Sequence, residues 1–204
     1  GNMNGGNYYA MKSGGDTVYT IDSSLVKSLQ TDILNMITLD SIPSLTETTL
    51  DKLTLTAGKE TLTLDKYEDR DGTVSWFIVE GETYTPADDY ALADGTKSAP
   101  VYVTNILSAL KGLSFSSCAA FNPDIGALES LGLASPALAL TADYTTTDSD
   151  KKETSGSVSL EIGRILNDES GYYARLAGSE QINALPGDKI TPLLEALDAL
   201  GVQS

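Results

Sequence analysis

The sequence predicts an α+β fold: a largely antiparallel sheet with about four helices packed on one side, and one strand–turn–strand–helix unit repeated at both ends of the chain. Three observations carry this. Short segments alternate apolar and polar residues and follow one another across tight turns, as neighbouring antiparallel strands do. Helical stripes are few and do not separate successive strands, as a doubly wound parallel sheet would require. Finally, "NYYAMKSGGDTVYTIDSSLVKSL" aligns without a gap on "GYYARLAGSEQINALPGDKITPLL", with Tyr8-Tyr9-Ala10 over Tyr172-Tyr173-Ala174 at an offset of 164 residues.

The repeat is one of phase as much as of identity. Gly14 falls on Gly178, Val18 on Ile182, Ile21 on Leu185 and Leu29 on Leu193. After the capping pair Ser23-Ser24 the apolar residues run Val26, Leu29, Ile33, Met36; after Gly187-Asp188 they run Ile190, Leu193, Leu197, Leu200. Both sets are the i, i+3, i+7 stripe of an amphipathic helix, and Gly201 suits the residue just past the second helix. Upstream, Gly1-Asn2-Met3-Asn4 echoes Gly163-Arg164-Ile165-Leu166.

Between the copies, Leu53 and Leu55, then Leu62 and Leu64, alternate with Thr on either side of Ala57-Gly58-Lys59, which predicts a hairpin with one apolar face. Val74, Trp76 and Ile78 alternate after an Asp71-Gly72 turn, and Gly81 to Ser98 reads as a long polar stretch. Ser98 and Pro100 open a helix carrying Val103, Ile106, Leu107 and Leu110, which Gly112 ends. A short helix is expected around Ile125–Leu131. Leu138 and Leu140 then lead through a polar loop, "TTTDSDKKETSG", to Val158, Leu160 and Ile162.

Composition narrows the function classes. The 204 residues can bury a substantial core as one large domain or two small ones. No apolar run approaches the ~20 residues of a membrane-crossing helix, and no signal peptide is expected. Beginning at Gly1 rather than Met, the chain reads as a processed or excised piece. With 29 acidic against 13 basic residues, a net charge of −16 disfavours nucleic acid and anionic lipid as partners. The single Cys118 excludes an internal disulfide, and the absence of His removes Ser-His and Cys-His dyads together with the commonest transition-metal ligand.

Taken in order, "LESLGLASPALALTA", "GSVSLEIG" and "GYYARLAG" resemble the bacterial family called domain of unknown function 4340. The resemblance rests on the turn Gly132-Leu133-Ala134-Ser135-Pro136, the hairpin end Ile162-Gly163, the strand Tyr173-Ala174-Arg175 and the earlier Trp76 strand. It implies one complete module over residues 41–204, with residues 1–40 the closing strand–helix piece of a preceding repeat module, the two able to pack as one compact unit. It also implies a parent with an N-terminal membrane helix and tandem modules outside the cytoplasm, often encoded beside gliding-motility-type ABC exporter subunits. The family brings no catalytic residues with it.

Several residues invite a chemical reading. Ser24–Lys27 fits the S-x-x-K of penicillin-binding enzymes, but the spacing recurs at Ser108–Lys111 and Ser149–Lys152 and the companion motifs are missing. Asp65, Glu68, Asp69 and Asp71 gather enough carboxylate oxygen for a Ca²⁺ ion without the order of an EF-hand loop, so the plainer reading is a charged hairpin tip. Cys118, in "LSFSSCAAF", reads as a buried, inert thiol. Trp76 is expected in the core, whereas Tyr84 and Tyr90, in the polar stretch, are candidates for contacting a ligand or partner; Tyr102 could join an aromatic face.

The resulting expectation is a non-catalytic extracytoplasmic module of a membrane-anchored protein, needing no cofactor and offering a surface to a protein partner such as ABC-type exporter subunits. A membrane would be engaged only through a segment outside this sequence. A carbohydrate- or peptide-binding module using Trp76, Tyr84 and Tyr90 is the alternative, and a hydrolase built on paired carboxylates ranks last.

Overall fold

The structure, a computed structural model, describes residues 3–4, 6–29 and 33–202, with side chains described over 6–26 and 33–202. The chain divides into two compact units, Gly1–Thr38 and Leu39–Ser204.

In the first unit, β1 (Met3–Asn4), β2 (Asn7–Met11) and β3 (Val18–Asp22) form a three-stranded antiparallel sheet with β3 at one edge, followed by α1 (Ser23–Leu29). Gly14 adopts φ 76° in the β2–β3 turn, a conformation that costs glycine little. Of the amphipathic stripe predicted over 26–36, the described parts are α1 as far as Leu29 and a 3-10 turn at Ile33–Met36, while residues 30–32 and the Leu29 side chain lie outside what is described. Short helices depend on packing for most of their stability.

The larger unit holds a nine-stranded sheet. Its strands are β4 (Leu50–Ala57), β5 (Glu60–Glu68), β6 (Val74–Glu80), β7 (Thr83–Pro86), β8 (Ser117–Phe121), β9 (Leu138–Thr147), β10 (Glu153–Ile165), β11 (Gly171–Leu176) and β12 (Gln181–Pro186). They lie in the order β7-β6-β5-β4-β9-β10-β11-β12-β8, each pair antiparallel. The helices are α2 (Ala99–Leu110), α3 (Ile125–Ser130) and α4 (Gly187–Ala199). The class is α+β, as the alternation and turn spacing predict.

Alternation decides which face is covered. Leu53 and Leu55 on β4, Leu62 and Leu64 on β5, Trp76 and Ile78 on β6, Leu138 and Leu140 on β9, and Leu160 and Ile162 on β10 all point to one side and are buried. Val103, Ile106 and Leu110 of α2, and Ile190, Leu193 and Leu197 of α4, close the core from above, the two helices packed on each other. The opposite face carries Thr and Ser: Thr63, Thr54, Thr141 and Ser159 stand abreast on β5, β4, β9 and β10. Their hydroxyls bond sideways, Thr141 to Ser159 at 3.0 Å.

Two local expectations give way to longer strands. The polar stretch after Gly81 contains β7, because Gly81 at φ 61° turns the chain straight back onto β6. The loop expected over 145–156 shrinks to 148–152, since Thr147 and Thr146 continue the ladder opposite Glu153 and Thr154; β-branched Thr favours extended backbone. Cys118 is buried as expected, and the strand that holds it, β8, pairs with β12. Its thiol donates to the Ala120 carbonyl, and burial raises its pKa.

Two substitutions probe this packing. Leu55→Ala removes a fully buried side chain and is expected to cost about 2–5 kcal/mol. Gly171→Ala would drive its Cβ into the Leu185 carbonyl oxygen of the paired strand and is expected to destabilise comparably. Thr54→Ala on the open face is expected to cost under about 1 kcal/mol. Urea-unfolding midpoints of the three variants test the assignment of faces.

Candidate functional site

The open face becomes aromatic at one end. Register places Asp65 opposite Phe77, Tyr67 opposite Ser75 and Tyr84 opposite Val79, so Asp65, Tyr67, Phe77 and Tyr84 project to the same side, away from the helices. Tyr67 and Phe77 meet edge to face, ring centroids 6.2 Å apart and planes at 82°. Together with Lys66 these residues line a groove of about 290 Å³. Tyr67 and Tyr84 are both exposed. Lys66, paired opposite Trp76, sends its ammonium to Asp51 at 3.1 Å, and the carboxylate that lines the groove with the rings is that of Asp65. Ring faces beside a few polar groups suit a sugar ring, a prolyl or aromatic side chain, or another apolar surface with hydrogen-bonding rims.

The three aromatic candidates from sequence do not converge. Only Tyr84 lines this groove. Trp76 faces the opposite way, buried beneath α2, where with Asp88, Glu47, Val103 and Leu107 it lines a separate groove of about 270 Å³. Its indole Nε1 is buried without a hydrogen-bond partner among the described atoms. Tyr90 packs against the core and its hydroxyl donates to Glu80 Oε1 at 2.9 Å; Tyr102 packs against the core as well. Tyr67 and Phe77 were not singled out from the sequence. Their signal was available, since each sits one position out of phase with the apolar run of its strand.

The carboxylate-rich tip is occupied by its own backbone. Asp69 Oδ1 accepts from the amides of Asp71 and Thr73, at 2.9 and 3.0 Å, and closes the turn. Asp65 faces the aromatic groove instead. Among the described residues no three His, Cys, Asp or Glu side chains group closely enough to hold a metal ion. Ser24 donates its hydroxyl to Asp22 and lowers that exposed carboxylate's pKa, while the Lys27 side chain lies outside the described residues. Ser108 and Lys111 flank a shallow groove with Thr46–Thr48, and Ser149 lies in the β9–β10 turn, which Lys152 ends. Among the described residues no helix is long and apolar enough to cross a membrane.

A family model described as a domain of unknown function (DUF4340) matches residues 1–124 and, separately, residues 93–200. No curated protein and no solved structure matches the chain.

Burial and the Glu80 hydrogen bond both raise the pKa of Tyr90 above its ordinary value. A raised pKa favours the folded state while the phenol stays protonated, and that contribution is lost as pH rises through about 10 and beyond. Tyr90→Phe, which cannot ionise, is therefore expected to flatten the fall in stability between about pH 9 and 11. Denaturant titrations of both proteins at several pH values check this.

Proposed function

The chain belongs to the domain of unknown function 4340 family, and from that premise we propose that it is a non-catalytic scaffold module of a tandem array. The array is extracytoplasmic, held by a membrane-anchored parent that accompanies an ABC-type exporter. Residues 1–40 close a preceding module and residues 41–204 form the next. The observation that carries this reading is the pair of strand–strand–helix pieces in the same register at both ends of the chain. Two overlapping matches to one family model, over residues 1–124 and 93–200, support it.

A one-sided sheet fits a docking role. Its helices cover one face, leaving a broad surface of Thr and Ser hydroxyls that ends in the Tyr67–Phe77–Tyr84 groove. Aromatic side chains with a polar rim are the usual anchors of a protein interface. The acidic surface, −16 over the chain, favours a partner with a basic or neutral face.

A carbohydrate reading of the same groove draws on the edge-to-face pair beside Asp65, a combination of stacking ring and hydrogen-bond acceptor. Affinity capture with the full chain from detergent extracts of its own source separates the two. Recovery of ABC-type membrane subunits, with the joint Tyr67→Ala and Tyr84→Ala variant binding at least about tenfold more weakly at unchanged melting temperature, is the expected result. Retention of soluble glycans without any such subunit would overturn the scaffold reading in favour of the second.

A further inference from the structure

The first unit repeats the end of the second in strand register and in its turn hydrogen bonds. Tyr8 pairs with Ile21 and Tyr9 with Thr20; Tyr172 pairs with Leu185 and Tyr173 with Ala184. Met3 stands opposite Tyr8 as Ile165 stands opposite Tyr172. The Gly15 amide donates to Lys12 O as Ser179 donates to Leu176 O, and Ser23 donates to Gly6 O as Gly187 donates to Ser170 O.

What differs is the cover. Val18 is 60% exposed where Ile182 is 0%, Ile33 is 74% exposed where Leu197 is 1%, and Met36 is 76% exposed where Leu200 is 6%. In the larger unit the cover is visible. β8 lies along the outer edge of β12, and α2 packs on α4. In the smaller unit the matching edge strand, β3, ends its sheet, and α1 packs against β2 and β3 of its own unit.

We infer that the Gly1–Thr38 unit is an acceptor, completed by a helix and strand of the α2–β8 kind supplied by a preceding copy of the module. This rests on the reading of residues 1–40 as a closing piece and names what closes it. The register of the donor strand is fixed by the larger unit. There Ala184 faces Ser117 and Ile182 faces Ala120, and the Ser116 and Asn122 amides donate to Ala184 O and Glu180 O. By the same register the donor's flanking amides would reach the carbonyls of Thr20 and Asp16, antiparallel to β3. Its helix would cover Ile33 and Met36, the counterparts of Leu197 and Leu200. A second folded copy of this chain has no such pair to lend, because its own α2 and β8 are engaged by α4 and β12.

The test extends the full chain at its N-terminus with a duplicate of residues 39–162 joined to Gly1. Amide hydrogen exchange is followed at Val18–Asp22. Protection there is expected to rise at least about 100-fold over the unextended chain, toward that of Ile182–Leu185. The same extension with Cys118→Pro and Ala120→Pro in the duplicate alone removes donor-strand amides, and the gain is expected to vanish while residues 39–204 keep their own protection. Three results would overturn the inference: no gain on extension, a gain indifferent to the prolines, or strong protection of Val18–Asp22 already present in the unextended chain. In the last case sedimentation tells a self-sufficient monomer from β3 pairing between two copies. Failure here with exporter subunits still captured through Tyr67 and Tyr84 leaves the scaffold reading standing, whereas a gain in protection with no capture removes that reading alone.

Discussion

The pairing of β4 with β9 is the contact on which the larger unit depends. Leu53 lies opposite Ala142 and Leu55 opposite Leu140, joining segments more than 80 positions apart in the chain. On one side of this seam stands a meander, β4 to β7, whose strands follow each other through short turns and pair locally. On the other stand β9 to β12, again mostly consecutive hairpins, with β8 added at the far edge. Each wing pairs within itself at little loop-closure cost, but neither alone has enough sheet to occupy two helices. The seam is where the entropy of closing a long loop is offset by burying Leu53, Leu55, Leu140 and Ala142 together.

The helices repeat that logic in a second layer. α2 leaves the first wing and α4 ends the second, and their contact ties the wings together a second time above the seam. Because both helices sit on one face, the other must be tolerable in water, and it is built accordingly. Thr supplies a β-branched side chain that suits extended backbone and a hydroxyl that bonds sideways to its neighbours. The aromatic end departs from this pattern. Tyr67, Phe77 and Tyr84 are not needed to cover the core, because Leu62, Leu64 and Ile78 already do so from the other side of the same strands. On the proposed reading their place on the open face serves contact with a partner, beyond the edge-to-face pairing of Tyr67 with Phe77.

Much of this architecture can be read in the residues, and the limits follow from range. Leu–Thr alternation gives the β4–β5 hairpin, and Ser98-Pro100 with its apolar stripe gives α2, because each is decided within a few positions. The seam is different. β4, β5 and β9 share one Leu–Thr pattern, so nothing local tells β9 which of them to join. The core contact of Tyr90 is hidden for a related reason. Its stretch is polar and irregular, yet the chain folds back after β7 and presses the ring onto the core, with Glu80, ten residues earlier, taking its hydroxyl. Tyr67 and Phe77 went unremarked because an aromatic residue in an apolar strand ordinarily signals core, and only phase separates the two faces.

The two copies of the terminal motif show where local information stops. Both set the same turn, with Gly14 and Gly178 at nearly equal positive φ, and both lock the same strand register. Those outcomes need only hydrogen bonds and turn residues supplied by the motif itself. The segments after the strands diverge in cover: Leu197 and Leu200 are buried, with α4 packed on α2, whereas their counterparts Ile33 and Met36 are exposed. The apolar stripes are alike, so what buries a stripe is a packing partner rather than the motif's own residues. The strand pair is therefore specified from within and the cover of the stripe from without. On the proposed reading that division suits a modular array, in which each hairpin forms on its own and a neighbouring segment covers the apolar stripe that follows it.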